Sequence, residues 1–256
     1  MKPVIIRNLK IGQGMPKICV PITGVKKDDI IADAKALKCL PADMVEWRVD
    51  WFEHAYNINQ ILSVLQELRV VLEDLPLLMT FRTSNEGGEK TITPEEYARI
   101  NISAITSGCI DMVDVEAFSE KKSVAEIIDA AHANHVKVIA SNHDFYTTPS
   151  KDEIIARLRK MQDMNADIAK IAVMPQCKED VITLLAATEE MHSHYARRPI
   201  VTMSMGKLGS ISRLCGEFFG SAITFGIAHK SSAPGQIEVN ALHHILHHMH
   251  DNEICD

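Results

Sequence analysis

A lysine interrupts one of the most apolar stretches of the chain. The segment NADIAKIAVMPQ (165–176) predicts a buried β-strand, since Ile168, Ile171 and Val173 suit a protein interior, yet Lys170 stands in its middle. Lysine is almost never fully buried unless it is paired. Desolvation and neighbouring cations lower the pKa of a lysine, and the neutral amine can then form a Schiff base with a ketone or aldehyde. Lys170 is therefore a candidate nucleophile.

A histidine close to this lysine would complete the chemistry. His143, in the stretch SNHDF, ends the strand predicted before the one that carries Lys170, and Ser141 lies on the same side. An iminium makes the neighbouring C–H bond acidic, and a histidine within reach can remove that proton. A histidine considered alone is more often a hydrogen-bonded structural residue, so this assignment depends on the lysine beside it.

Ionisable residues recur at the ends of several other predicted strands. They are Glu46, Arg48 and Asp50 in the second strand, Arg82 at the end of the third, Asp114 and Glu116 in the fourth, and Arg213 after the seventh. Residues spaced by two share one face of a strand. Taken singly, each charge is more often part of a structural ion pair, and the carboxylates of the fourth strand could simply neutralise Lys170 and Arg48. Taken together, they predict a polar cavity, whose arginines suit an anionic substrate.

The elements that must position these residues follow from the apolar pattern. Short β-branched runs predict strands at 17–22, 43–50, 76–82, 109–118, 136–144, 167–175, 199–205 and 222–228. Helix-like segments lie between them, and both TPEEYARI and TPSKDEIIARLRKM carry capping residues at their starts. Eight strands alternating with helices favour an α/β fold, a closed (β/α)8 TIM barrel in one domain over residues 1–256. The leading segment 4–12 predicts a short β-hairpin that closes the bottom of the barrel.

Composition excludes several classes of protein. The 256 residues are 46% hydrophobic and 24% charged, which is typical of a soluble globular protein, and the net charge of −7 argues against a nucleic-acid partner. Neither a secretory signal nor a run of membrane-spanning length is recognisable, so no membrane partner is expected. Six scattered cysteines, without a C-x-x-C pair, favour reduced thiols in the cytoplasm over a disulfide framework.

Eight stretches in order resemble one known family across nearly the whole chain. They are PKICVPITG, EWRVD, TFRTSNEGG, DVE, SNHDF, KIAVMPQ, TMSMGKLGSISRL and SSAPGQI, each at a strand end. The chain is thereby similar to the type I 3-dehydroquinate dehydratases. That resemblance implies a (β/α)8 barrel that converts 3-dehydroquinate to 3-dehydroshikimate in the shikimate pathway, without a metal or organic cofactor. Members of the family are commonly homodimers.

The resemblance also implies a role for each matching residue. Lys170 would form the Schiff base, and His143 would act as general base and then as general acid, hydrogen-bonded and tuned by Glu86. Arg213, Ser232 and Gln236 would hold the substrate carboxylate. The ring hydroxyls would be read by Glu46, Arg48 and Arg82, and the pocket would be walled by Phe225 and by Met203 or Met205. The APGQ turn (233–236) is a candidate lid.

Two other functions and one further motif remain open at this point. The segment GKLGS (206–210) follows the seventh strand, where barrels often bind phosphate, so a class I aldolase-like reaction on a phosphorylated sugar is an alternative. A catalytically inactive barrel that only binds a metabolite is another, although such a binder has no need of a desolvated amine. The tail LHHILHHMH (242–250) has histidines four residues apart, a spacing that can bind zinc, but we favour a solvated helix face.

Overall fold

Parallel strands form a curled sheet that helices cover on its outer side. The computed structural model describes residues 1–228 and 232–253. The first two strands, β1 Val4–Ile6 and β2 Leu9–Ile11, form a separate hairpin. The strands of the large sheet are β3 Lys17–Ile22, β4 Met44–Arg48, β5 Leu77–Thr80, β6 Met112–Glu116, β7 Lys137–Asp144, β8 Ile168–Val173, β9 Ile200–Ser204, β10 Ile223–Ile227 and β11 Ile237–Glu238. Ser231 of the SSAPGQI stretch and Cys255 lie outside the described residues.

The helices alternate with these strands, as predicted. They are α1 Lys27–Leu37, α2 Ile58–Leu72, α3 Pro94–Thr106, α4 Lys121–Ala133, α5 Lys151–Asp163, α6 Lys178–Glu190, α7 Ile211–Leu214, α8 Gly216–Phe219 and α9 Val239–Glu253. Helix α3 begins as its sequence predicts, because the Thr93 side chain accepts the Glu96 N–H and Pro94 occupies the first turn. Helix α5 is capped by Ser150 rather than by the preceding Thr-Pro pair.

Strand pairing brings the first and last barrel strands together. The order in the sheet is β11-β10-β3-β4-β5-β6-β7-β8-β9, so β10 pairs with β3. The remaining junction is narrow: Ile200 of β9 bridges Ser221 just before β10, and the Ala222 N–H donates to the Ile200 carbonyl at 2.8 Å. This arrangement confirms the predicted (β/α)8 barrel, with β11 added at the edge of β10.

The barrel interior is apolar at one end and polar further up. Hairpin residues Val4, Ile6 and Ile11 pack on the first inward-facing layer, so the hairpin closes the bottom as predicted. That layer consists of Cys19, Met44, Leu78, Met112, Ile139, Ile168, Val201 and Ile223. Two residues further along six of these strands, the inward positions carry Glu46, Thr80, Asp114, Ser141, Lys170 and Phe225. Apolar packing thus supports a polar layer above it.

Two predicted boundaries differ in a way that affects the site. The strand predicted over 43–50 ends at Arg48 and continues as a 3₁₀ turn, Val49–Trp51, so Asp50 does not continue the face of Glu46 and Arg48. The strand predicted over 76–82 ends at Thr80, two residues before Arg82. None of the helices within residues 1–228 and 232–253 combines the length and apolar character that crossing a bilayer requires.

Candidate active site

A cavity at the carboxyl ends of the strands collects the twelve residues for which the sequence predicts a catalytic or substrate-binding role. The carboxylates Asp50, Asp114 and Glu116 are buried but do not line it. About 450 Å³ of empty space, part of it open to solvent, lies between its walls. Its lining includes Glu46, Arg48, Arg82, Glu86, His143, Lys170, Met203, Met205, Arg213, Phe225, Ser232 and Gln236. Gly87, Phe145, Ala172 and Ala233 also line it and were not among the predicted site residues. Phe145 follows His143 by two residues in SNHDF. Gly87 has φ +82° and packs against the Phe145 ring, from which a Cβ on residue 87 would lie only 2.3 Å away.

Lys170 projects inward from the middle of β8 and is 4% exposed. Its Nζ lies 3.2 Å from Asp114 Oδ2 and 4.6 Å from the centre of the Phe225 ring. The other oxygen of Asp114 accepts hydrogen bonds from Arg82 at 2.7 Å and from the Ser141 hydroxyl at 2.6 Å. The expectation that a carboxylate pairs with Lys170 is therefore correct for Asp114. This contact fixes the position of the amine at the floor of the cavity.

Asp114 remains ionised although it is buried. Burial alone raises the pKa of its carboxyl group, but Arg82, Lys170 and the Ser141 hydrogen bond outweigh burial and lower the pKa to about 2. A carboxylate that is this strongly stabilised keeps its charge throughout the physiological range. The cavity floor therefore carries a permanent negative charge next to the lysine.

His143 and Glu86 form a hydrogen-bonded pair beside this lysine. The Nδ1 atom of His143 lies 2.9 Å from Glu86 Oε2, and the same oxygen accepts the His143 backbone N–H at 2.9 Å. The other oxygen of Glu86 accepts a hydrogen bond from Asn142 at 3.1 Å. An imidazole that donates from Nδ1 presents Nε2 as its acceptor. This geometry suits a general base held in one orientation.

The electrostatic surroundings keep this imidazole neutral. Burial lowers the pKa of His143 well below 6.5, and the nearby cations Arg82, Lys170 and Arg48 lower it further. Burial raises the pKa of Glu86 to about 7, although Arg82 opposes this shift. A base must be unprotonated in order to accept a proton, so the lowered pKa of His143 favours that role at neutral pH.

Arg213 is a buried cation whose surroundings are unusual. It is 2% exposed, and within the described residues it has no carboxylate partner. One terminal nitrogen donates to the Pro234 carbonyl at 3.0 Å, and the other lies 3.6 Å from the Met203 sulfur. Nε has no hydrogen-bond partner in the part of the chain that the structure describes. Burial lowers the pKa of Arg213 to about 10, so it stays charged. A buried guanidinium without a counter-ion suits a bound anion.

The other predicted binding residues differ in how far their polar groups are already used. The Glu46 carboxylate accepts a hydrogen bond from Thr80 at 2.8 Å. Arg82 contacts three carboxylates, at 2.7 Å (Asp114), 3.1 Å (Glu116) and 3.6 Å (Glu86). Arg48 pairs with Asp50 rather than with the carboxylates of β6, which corrects the expected pairing. Arg82 therefore also organises the acids around it, beyond any contact with a substrate.

The turn after β10 covers the mouth of the cavity. Ser232 and Gln236 hydrogen-bond to each other at 2.9 and 3.1 Å, and the Ser232 carbonyl accepts a bond from Arg48 at 3.3 Å. Gly235 has φ +80° and passes so close to Gly206 that a Cβ would lie 2.3 Å from its carbonyl oxygen. The Gly206 N–H is already used by the Pro234 carbonyl at 3.1 Å, so the GKLGS segment offers this amide to no phosphate.

The histidine-rich helix lies away from this cavity. The rings of His243 and His247 are 4.1 Å apart and border a separate depression near Asp43. Among the described residues, no group of three or more His, Cys, Asp or Glu side chains is placed to hold a metal ion.

Fold and cavity together define a (β/α)8-barrel enzyme in which a buried lysine, a neutral histidine and a buried arginine face one covered site. The sequence model of the family Type I 3-dehydroquinase matches residues 18–253. The chain belongs to the type I 3-dehydroquinase family, a family of hydro-lyases.

Similar proteins cover the chain almost completely. The 3-dehydroquinate dehydratase of Clostridioides difficile (strain 630) is 52% identical over 97% of this chain and 98% of its own length. That of Listeria innocua is 48% identical, over 98% and 99%. The crystal structure of the type I enzyme from Clostridium difficile with covalently modified comenic acid has a TM-score of 0.96 at 52% identity, covering 98% of this chain and 100% of that one. The Enterococcus faecalis structure has a TM-score of 0.91 at 45% identity, covering 96% and 99%.

Proposed function

We propose that this chain eliminates water from 3-dehydroquinate to give 3-dehydroshikimate, through a Schiff base between Lys170 and the substrate ketone. One observation carries the proposal: a buried lysine and a neutral histidine face the same covered cavity as the guanidinium of Arg213, which has no carboxylate partner among residues 1–228 and 232–253. The substrate has a carboxylate for the arginine, a ketone for the lysine and an acidic C–H bond for the histidine.

Imine formation begins with the amine of Lys170. The lysine first passes a proton to a base, for which the neutral imidazole of His143 is suited. The amine then attacks the ketone carbon, and the hydroxyl of the resulting carbinolamine leaves as water with the proton that His143 took up. This leaves an iminium ion and a neutral imidazole. Asp114, 3.2 Å from the lysine nitrogen, stabilises the positive charge of this iminium.

Elimination follows at the carbon next to the imine. His143 removes a proton there through Nε2, and the electron pair of the C–H bond moves into the enamine. The enamine expels the hydroxyl group at the next carbon, which leaves as water with the proton carried by His143. Water then hydrolyses the conjugated iminium, which releases the product and restores the amine of Lys170. Glu86 holds the imidazole in the required tautomer throughout.

The remaining cavity residues bind and orient the substrate. We assign its carboxylate to Arg213, Ser232 and Gln236, and its ring hydroxyls to Glu46, Arg48 and Arg82. The apolar walls are Phe225, Met203 and Met205, which exclude water around the reacting carbons. The Clostridium difficile relative was solved with covalently modified comenic acid, which supports a reactive nucleophile in this family.

Product formation tests the proposed activity. The product is an enone that absorbs ultraviolet light, so dehydration of 3-dehydroquinate can be followed directly. We expect turnover of 3-dehydroquinate and no cleavage of phosphorylated sugars. Sugar-phosphate cleavage would favour the aldolase-like alternative, and the absence of any turnover would favour a binding protein. We further propose a cytoplasmic homodimer of single-domain chains, which sedimentation of the purified protein would check.

A further inference from the structure

Asp50 is a buried carboxylate that does not line the cavity but joins three segments that do. It is 0% exposed and lies in the 3₁₀ turn directly after β4. Its oxygens accept Nε and Nη2 of Arg48 at 2.9 and 2.8 Å. They also accept the backbone N–H groups of Arg82 at 3.2 Å and Glu89 at 3.1 Å. Four donors from three segments therefore meet on one carboxylate.

The backbone requires this carboxylate because the strand ladder ends early. Pairing between β4 and β5 stops at Arg48 and Thr80, so the backbone of residues 81 and 82 has no strand partner on the β4 side within the described residues. The N–H of Arg82 turns to Asp50 instead, and the N–H of Thr83 turns to the Glu116 carboxylate at 2.7 Å. A buried N–H group without such a partner would be costly. Asp50 therefore replaces a missing ladder bond at the edge of the site.

The first element that Asp50 fixes is the Arg48 side chain. Because Nε and Nη2 are both held by the carboxylate, the guanidinium plane has one orientation. Its Nη1 is left facing the turn over the cavity, 3.3 Å from the Ser232 carbonyl. The orientation of a cavity arginine is thus set by a residue behind it.

The second element is the segment 83–90, which carries Glu86. This segment closes on itself through the Ser84 N–H to the Lys90 carbonyl at 2.9 Å and the Gly88 N–H to the Thr83 carbonyl at 2.8 Å. Asp50 holds its far arm at the Glu89 N–H. Glu86 lies on the opposite arm and reaches His143. Loss of the Asp50 contact would therefore weaken the hydrogen bond between Glu86 and the general base His143.

We infer that Asp50 is a positioning residue that sets both the substrate-binding arginine Arg48 and the segment that presents Glu86 to His143. The inference rests on the proposed dehydratase function. The contact of Asp50 with the Arg48 guanidinium affects substrate binding and therefore KM. Its contact with the Glu89 N–H affects the position of Glu86, hence proton transfer by His143 and kcat.

A matched control lies at the opposite end of β5. Asp111 accepts Arg7 at 2.7 Å, Arg69 at 2.8 Å and the backbone N–H of Leu77 at 2.9 Å, far from the cavity. Substituting Asp50→Asn and Asp111→Asn removes one charge from each carboxylate cluster. We expect both variants to lower Tm. We expect Asp50→Asn alone to raise KM about tenfold and to lower kcat about tenfold, as loss of charge-assisted contacts predicts.

A double-mutant cycle separates the two routes. In an Arg48→Met background, Asp50→Asn should no longer raise KM, while its effect on kcat should persist. In a Glu86→Gln background, Asp50→Asn should no longer lower kcat, while it should still raise KM. Equal kinetic changes in Asp50→Asn and Asp111→Asn would overturn the inference, as would additive effects in both backgrounds. A wild-type protein that forms no enone would refute the proposed function instead.

Arg48→Lys tests the same contact should Asp50→Asn fail to fold. Lysine keeps the positive charge but cannot form the two-bond fork on Asp50. We expect KM to rise about tenfold while kcat changes less than about threefold. A wild-type KM in Arg48→Lys would contradict a role for the fork.

Discussion

The two ends of the barrel differ in whether their buried ionisable groups are all compensated. At the amino-terminal end, Asp167 accepts the Val138 N–H at 3.0 Å and lies within 3.5 Å of His132, Lys137 and Arg198, so its charge is thoroughly compensated. At the carboxyl-terminal end, Arg213 has no carboxylate partner within the described residues, and His143 is kept neutral by burial and by nearby cations. Compensated charge stabilises the fold, whereas uncompensated charge prepares one end for a ligand.

The size of a surface depression does not indicate which end of the barrel holds the active site. The broader depression lies at the amino-terminal end, bordered by Lys137, Asp167, Arg197 and Arg198. Three of its cations already contact carboxylates there, since Arg197 lies 2.6 Å from Asp163 and the other two contact Asp167. The smaller, covered cavity holds Arg213, whose charge has no carboxylate partner among the described residues. Chemistry follows available charge rather than volume.

Lys170→Met should have the largest effect on activity, and Lys137→Met is its counterpart at the other end. Without the amine no Schiff base forms, so we expect kcat to fall at least about 10⁴-fold. Lys137 is a surface lysine 3.5 Å from Asp167, so its replacement should leave kcat within about twofold. The enone assay measures both, and comparable losses in the two variants would remove the distinction between the ends.

His143→Ala is expected to have the next largest effect, with His132→Ala as its control. Removing the general base should lower kcat about 10³-fold, while borohydride should still trap a slowly formed imine on Lys170. His132 lies 3.1 Å from Asp167, and its loss should affect stability alone. Equal loss of imine trapping in Lys170→Met and His143→Ala would contradict the separate roles.

Arg213→Met should weaken binding and yet leave the fold intact. We expect KM to rise about 100-fold because a carboxylate loses a bidentate partner. Removing a buried, unpaired charge should leave the free energy of unfolding unchanged or raise it by about 1 kcal/mol. Arg198→Met, at the other end, should lower that free energy by about 0.5 kcal/mol without changing KM. Denaturant titration and initial rates measure the two quantities, and an unchanged KM in Arg213→Met would assign the carboxylate to another residue.

The smallest effect concerns pH. The pKa of His143 is lowered, so the folded protein resists protonation there, and activity should persist below pH 6.5 before it falls. The free energy of unfolding also falls as the pH falls. Between pH 6.5 and the lowered pKa, the unfolded chain binds a proton at His143 that the folded chain does not bind. His143→Ala should lose that part of the pH dependence of stability. Glu86, whose pKa is about 7, titrates in the same range, so the profile is also measured in Glu86→Gln. A rate that still declines from pH 7.5 in that variant would contradict a neutral, buried base.

Much of this contrast could be predicted from the sequence, because it depends on strand periodicity. The alternation along β4, β6, β7 and β8 places Glu46, Asp114, His143 and Lys170 on the inner face. The hairpin and all eight barrel strands were predicted within a few residues of their observed bounds. These features follow from local apolar patterns, which a single sequence contains.

The pairing of charges could not be predicted in the same way. The 3₁₀ turn Val49–Trp51 directs Asp50 back onto Arg48, and β5 ends before Arg82, so partners that look equivalent in sequence differ in space. Which carboxylate pairs with which cation depends on side-chain rotamers and on the residue at which strand pairing ends. Both are set by contacts between residues that are far apart in the sequence. The covering position of the 232–236 turn likewise depends on a tertiary contact, between Pro234 and Gly206.

Reductive trapping tests the central claim most directly. The protein is incubated with 3-dehydroquinate and sodium borohydride, digested, and examined by peptide mass spectrometry. We predict one covalent adduct, on the peptide that contains Lys170, and none on the peptide that contains Lys137. A protein that produces the enone but yields no adduct, or one whose adduct lies on another lysine, would contradict a Schiff base at Lys170.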